Sequence, residues 1–468
     1  MRRQTQARLA RNRARRAGMT ELVFLWVGLL AVCLWLTTRR QGVGVLVLAY
    51  FLGLSLIHVP GAINFLGPAP GLRDKELTQI GFQATVIGFA ALLLGAWLGM
   101  ARKDASSAVG TAEVDYRGLG KQLLAIGGTS FFVLLPIATL VPSLTSLLSG
   151  VASLLIIGFW MLLFHAIVRG DRKLLLLVLS TLPMLPLLTL STGGFVANST
   201  NWIIAILSFL FINSKKRLIY YCVGPFFGFL ALSLAVSYLG GRNAIREAVW
   251  KEKADYTERI GRVVDTAASF KFYDWNDPLQ VYNVDARLNQ NYFVGLGIER
   301  QERGRIDLLY GGSLELWAFI PRAVWPEKPQ VGGGDLITRL TGFRVAPGIT
   351  YGVGQPLEFF ANFGWPGLIG GFVLLGFALG RLDRRLARAF RVGDLRGILV
   401  AGLPGIALLQ PINNGLEISV SVVAAFVVAH LLAAAAESFG FADAYRCSTA
   451  VAPPPTDRRL QPQRFSRY

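Results

Sequence analysis

Long apolar runs separated by short, arginine-rich breaks make up most of the chain. A helix needs about 20 apolar residues to cross the hydrocarbon core of a bilayer, and fewer where flanking Arg and Lys reach back to the interface. By that measure the pattern predicts eleven spans, at 20–38, 43–59, 81–100, 122–141, 149–168, 174–190, 202–213, 218–239, 361–380, 397–412 and 416–436. The pattern breaks between the eighth and ninth spans, where charged and aromatic residues intermingle. The expected fold is therefore an all-α integral membrane protein with one large extracytoplasmic loop. Its parts are a basic segment at 1–19, eight spans in 20–239, the loop at 240–355, three spans in 356–436 and a disordered cytoplasmic tail at 437–468. The end of that tail, VAPPPTDRRLQPQRFSRY from 451, is Pro-rich and basic. A chain of that composition buries too little apolar surface to fold by itself.

Composition agrees with the pattern. Of the 468 residues 53% are hydrophobic and only 16% charged, with a mean hydropathy of +0.48, which is too apolar for a soluble protein of this size. The 47 Lys+Arg against 28 Asp+Glu would in a soluble protein suggest a nucleic-acid partner. Here the excess sits in short loops, which reads as topology and contact with inner-leaflet lipid, and no nucleic acid is expected. The breaks on one side and the tail carry 23 Lys+Arg, whereas the short loops opposite carry only Arg73 and Lys75. The positive-inside rule makes the first set cytoplasmic and places 240–355 outside. The seven arginines before Met19 conflict with that assignment. Initiation at Met19, directly before Thr20-Glu21 and the first apolar run, removes the conflict.

Other chemistries find little footing. Cys33 and Cys222 fall in apolar segments and Cys447 in the tail, so no disulfide framework or CxxC site is expected. His58, His165 and His430 lie in or beside apolar runs, where packing roles are commoner than catalysis. The VGGGD stretch at 331–335 has neither the GKS/T ending nor the strand context of a phosphate loop, and no DxD pair points to a metal-dependent sugar transferase.

The loop at 240–355 holds 15 Lys+Arg and 14 Asp+Glu, a near-neutral mixture suited to a folded substrate surface. Its distinctive stretches are VDARLNQN at 284–291, GGSLELWAFIPRAVWPEKP at 311–329 and GVGQPLEFFANFGWPG at 352–367. In these the chain resembles the O-antigen and oligosaccharide repeat-unit polymerases of polysaccharide biosynthesis. The similarity lies in the order of parts: many helices, a long late loop, Ile-Pro-Arg followed by Trp-Pro-x-Lys-Pro, then Glu before an Asn-Phe-Gly turn that opens a helix. It implies a multi-pass protein of the bacterial cytoplasmic (inner) membrane. It also implies inverting glycosyl transfer at the outer face without metal or cofactor, undecaprenyl-diphosphate-linked glycans as donor and acceptor, and other polysaccharide-assembly proteins as partners. One departure stands out. The family commonly places an arginine in an earlier outer loop, and TGGFVANSTN at 192–201 has no basic residue, which leaves a ligase-type transferase open beside the polymerase.

The residues support such chemistry independently. A lipid-diphosphate leaving group needs fixed cations at the bilayer surface, and Arg offers bidentate donors to phosphate oxygens. Arg322 follows Pro321, and Lys328 is flanked by Pro326-Glu327 and Pro329, so both cations sit on restrained backbone. Arg287, Arg242 and Trp325 are further substrate-binding candidates; each arginine could equally pair with a loop carboxylate or a lipid headgroup. A sugar hydroxyl needs a general base, and Glu358, just after Pro356 at the start of an apolar run, is the expected one. The same carboxylate could merely complement a helix terminus. Asp285 and Glu315 are weaker alternatives as base. Trp317, Trp325, Phe343 and Trp365 could stack on sugars, although Trp at a membrane boundary is more often an anchor.

Overall fold

A computed structural model describes residues 2–39, 42–68, 73–101, 114–138, 142–186, 189, 197–215, 217–247, 256–304, 320, 325, 334–345 and 351–438. The described chain is all-helical, and eight of its helices are long and apolar enough to cross a membrane. These are α1 (Arg2–Thr38, apolar over Ala17–Thr38), α2 (Val45–Leu66), α3 (Lys75–Met100), α4 (Tyr116–Ala138), α5 (Leu144–Arg169), α8 (Arg217–Arg246), α13 (Gln355–Val392) and α15 (Gly415–Ser438). Shorter apolar helices are α7 (Ala197–Asn213) and α14 (Leu395–Leu408), and the ten-residue α6 (Arg172–Thr181) precedes α7. Over the expected span at 174–190 the described residues form α6, a turn at 182–183 and further helical residues at 184–186. Pro183 and Pro186 supply the reason for the turn, because neither can donate to the helical ladder. Smaller helices fill the loop: α9 (Tyr256–Ala268), α10 (Pro278–Arg287), α11 (Asn291–Glu302) and α12 (Gly334–Thr341).

The centre of the bundle is a seam between α3 and α13, which run parallel. Gly95 faces the Val373 carbonyl and Gly376 faces the Leu92 carbonyl so closely that neither position has room for a Cβ. Lipid tails are as apolar as Leu, so helices in a bilayer associate through this kind of close backbone approach. Around the seam lies one continuous core that includes Phe51, Phe89, Trp160, Phe209 and Phe372. α1 runs antiparallel to α2, since buried Met19 packs with Val59, Ala62 and Phe65, and Thr37 lies against Gly44 at the start of α2. The bundle thus has a basic end, with Arg39, Arg169, Arg217 and Arg391, and a loop end, with Leu66, Lys75 and helices α10 to α12.

Two carboxylates of α13 hold the ends of other helices. Gly44, which precedes α2, has no side chain to cap it; Asp383, 1% exposed, accepts the N–H groups of Leu46 at 2.8 Å and Val47 at 3.0 Å instead. Glu358 accepts the N–H of Gly415 at the start of α15. Asp383 replaces the missing cap of α2, while Glu358 adds to the Asn414 side chain, whose Oδ1 accepts the Glu417 N–H at 2.8 Å; both helix termini carry a partial positive charge that favours an anion.

α13 is not straight. Gly364 has φ 63° and ψ −150°, and Trp365 precedes Pro366, which disfavours helical backbone at 365. The helix breaks there, and 355–363 folds back so that Phe359 lies on Gly371 and Phe372. The fold-back carries Gln355 to the Tyr50 hydroxyl, which donates to Gln355 Oε1 at 2.7 Å, and brings Gly352 and Gly354 to Pro411 and Ile412. Gln355 Nε2 donates to the carbonyls of Gln410 and Asn413 at 2.9 and 3.2 Å. Gly53, about 12 Å along α2 from its start, touches Pro411. This places the 409–414 turn within the bundle at membrane depth, where every backbone polar group needs an internal partner.

Candidate functional site

The loop is fastened to the loop end of the bundle by its own polar residues. Asp277 caps α10 by accepting the N–H groups of Leu279 at 2.9 Å and Gln280 at 3.4 Å, and those bonds hold its carboxylate below the usual range. Tyr273 donates its hydroxyl to Asn64 Oδ1 at 2.5 Å; burial pushes this phenol up to about 12. Beyond α10 the VDARLNQN stretch meets α2 and α3. The Gln290 N–H donates to the Ile57 carbonyl at 3.0 Å, and Asn289 Nδ2 donates to Asp285 at 2.6 Å and to Thr78 at 3.3 Å. α11 then packs on α3 through Gly81 and Gly295, which sit against the Asn291 and Leu77 carbonyls.

Asn291 fixes the state of His58. Its Nδ2 donates to the His58 carbonyl at 2.7 Å, so its Oδ1, 2.7 Å from the His58 ring, accepts. His58 Nδ1 therefore carries the proton and Nε2 holds a lone pair. Nε2 is buried with no partner, as are Asn289 Oδ1 and Gln290 Oε1. Three unmet acceptors thus gather around the 57–61 turn of α2.

Beside them lies an aromatic shelf built by Tyr292 and Phe293 of α11, Phe343 and Tyr351. Phe293 stands 5.4 Å from Phe343 and 5.3 Å from Tyr351 between ring centres. Phe343 is held from both sides of its backbone, its N–H donating to Thr341 Oγ1 at 3.1 Å and its carbonyl accepting from Thr338 Oγ1 at 3.0 Å. The Arg73 guanidinium lies 4.8 Å from Tyr292, 5.2 Å from Phe293 and 4.8 Å from Phe343. Its N–H donates to Asp285 Oδ2 at 2.7 Å, so the carboxylate positions the arginine backbone while its side chain stays on the rings. Arg287 lies 4.9 Å over Tyr351. Arg300 fills the space beside Gly342, whose φ of 71° suits a residue without a Cβ. The Nε atoms of Arg73 and Arg300 are buried without a hydrogen-bond partner. Among the described residues no carboxylate lies within ion-pair distance of Arg73, Arg287 or Arg300. Ring faces stabilise each cation by about 0.5 to 2 kcal/mol and leave its in-plane N–H donors unused. Several half-buried guanidinium groups on one rigid shelf are suited to an anion with more than one phosphate.

Of the residues singled out from the sequence, Arg287 and Phe343 belong to this shelf. Asp285 has both oxygens engaged and positions Arg73. Glu358 is 7% exposed and takes the Gly415 N–H, and Trp365 packs on Phe360 at the bend of α13. Arg242 is half-buried near the end of α8, and no described contact joins it to the shelf; Trp325 is also half-buried. Arg322, Lys328, Glu315 and Trp317 lie outside the described residues. Sequence reasoning missed Arg73 as a site residue. Its signal was present all the same: it is one of two cations kept in short loops on the side where the charge bias excludes them. No family model, curated protein or solved structure matches this chain.

Proposed function

We propose that the chain joins lipid-linked oligosaccharide repeat units into a surface polysaccharide at the outer face of a bacterial cytoplasmic membrane, with an undecaprenyl-diphosphate-linked glycan as donor. The observation that carries this reading is the meeting of Arg73 and Arg287 on one aromatic shelf with no described carboxylate to neutralise them. A diphosphate leaving group supplies the missing negative charge, and the rings around it suit a sugar face. Arg322 and Lys328 extend the cationic set, and Glu358 or the lone pair of His58 is the group to test as proton acceptor.

The topology behind the reading is eleven crossings with 240–355 outside. Alternation of helix ends supports it. α5 finishes at the basic end, and α7 also finishes there, beside Arg217, which favours a return crossing between them. A ligase that moves a finished glycan to another acceptor uses the same diphosphate chemistry. A transporter of lipid-linked sugars fits less well, because α13 spends both of its buried carboxylates on helix termini.

Lipid-linked glycans from a strain lacking the gene test the proposal. A polymerase defect leaves single repeat units on the lipid and on the surface; a ligase defect leaves long chains on the carrier lipid. An unchanged glycan profile contradicts both. Arg322→Lys is the companion variant, expected to lose chain growth at normal protein level because an ammonium lacks the planar two-point contact.

A further inference from the structure

The basic end of the bundle contains a second cationic feature, far from the shelf. A recess of about 690 Å³ opens where α1 ends, α2 begins and α5, α7, α8 and α13 bring their termini together. That volume falls within the ordinary range for a small-molecule site. Its wall is apolar and aromatic, formed by Phe164, Val168, Phe209, Leu386 and Phe390. Its rim carries Lys215, Arg217 and Arg391, and among the described residues no carboxylate lines it. Val168, at 64% exposed, lies on the outside of the bundle, so the recess opens sideways toward lipid.

The rim cations are placed by the fold. Arg217 Nη1 donates to the Thr38 carbonyl at 2.8 Å and Nη2 to the Ile212 carbonyl at 3.0 Å, which binds the start of α8 to the ends of α1 and α7. Both bonds are to neutral oxygens, so the positive charge remains, and Nε is buried with no partner. The Arg391 side chain is likewise turned onto its own helix, with Nε donating to the Ala387 carbonyl at 3.2 Å. Lys215 is exposed at the mouth.

We infer that this recess is a binding site for an anionic glycerophospholipid of the leaflet at the basic end. The phosphodiester lies at Lys215 and Arg217, and one acyl chain lies against Phe164, Phe209 and Phe390. Charge complementarity selects the headgroup, since the positive charges of Lys215 and Arg217 at the rim disfavour a zwitterion's ammonium. The apolar wall selects a lipid over a soluble phosphate. The inference requires a membrane-spanning chain and is independent of the glycan reading.

The test uses the full chain purified in a neutral detergent and exposed to mixed micelles of phosphatidylglycerol or phosphatidylcholine, with retained lipid measured after delipidation and gel filtration. Phosphatidylglycerol is expected to stay bound at about one per chain and phosphatidylcholine to be lost. Lys215→Gln is expected to lower retention about fivefold, and Val168→Trp, which fills the mouth from the lipid side, to lower it with the rim charges intact. Neither residue caps a helix, and unchanged gel-filtration profiles show that both variants fold. Equal retention of the two lipids, displacement by water-soluble glycerol phosphate, or normal retention in both variants overturns the inference.

Discussion

The bundle treats its buried acids and its half-buried bases in opposite ways. Glu358 and Asp383, near the two ends of α13, are each engaged by backbone amides of a neighbouring helix. Arg73, Arg287 and Arg300 at the loop end have ring faces or bare space beside them and no described carboxylate. Removing charge from water is costly, and a fold that needs the charge internally supplies its partner internally, as α13 does. Cations kept half-buried without such a partner among the described residues leave their counter-charge to a group beyond those residues. The difference separates residues that hold helix ends together from residues that the proposed function assigns to a ligand.

The comparison predicts different failures. The largest effect is expected for Asp383→Leu, which strips at least two buried amides of their acceptor at about 1 to 3 kcal/mol each. Most of the protein should then be lost from the monodisperse peak in detergent, and Asp383→Asn should be milder because one acceptor oxygen remains. A normal peak for the leucine variant breaks the structural half of the comparison. Arg73→Lys and Arg287→Lys should by contrast fold normally and lose about 30-fold to 1000-fold in transfer rate, as expected when a bidentate contact to developing phosphate charge is removed. Loss of folded protein in either variant would move that arginine into the structural set. Glu358→Gln should be intermediate, costing about 1 to 2 kcal/mol through a weakened bond to Gly415. If the carboxylate also takes a proton, turnover falls further than that cost explains.

The smallest effect concerns Asp277. Its folded-state pKa is depressed, so the stability it gives α10 is present above the pKa of the unfolded chain and is lost as pH falls through the folded value. Hydrogen exchange in α10 should therefore accelerate on acidification below the ordinary carboxylate range. Asp277→Asn, which still caps but does not titrate, should remove that acceleration.

How far the sequence foretold these features depends on their range. The apolar runs set the long helices because a 20-residue period-free run has one stable arrangement in lipid. The Asn-Phe-Gly turn before Trp-Pro announced the break in α13, since glycine and proline act locally. Arg287 was visible from composition within the loop. Arg73 could be read only as an exception to the charge bias; what gave it meaning is the packing of α11 against α3. The Asp383 cap joins residues 337 positions apart, and the Gln355–Tyr50 bond joins residues 305 apart. No local pattern encodes either, because both depend on how α13 lies against α2.

In the proposed function the loop-end arginines hold a lipid diphosphate during sugar transfer. The most direct test of that role is chain growth by purified protein in liposomes supplied with a polyprenyl-diphosphate oligosaccharide, comparing the unmodified protein with an Arg73→Lys/Arg287→Lys double variant of equal folded yield. Ladders of extended glycans are expected from the first and single repeat units from the second. Ladders of equal length and rate from the double variant would contradict that role and leave the arginines as anchors for ordinary lipid headgroups.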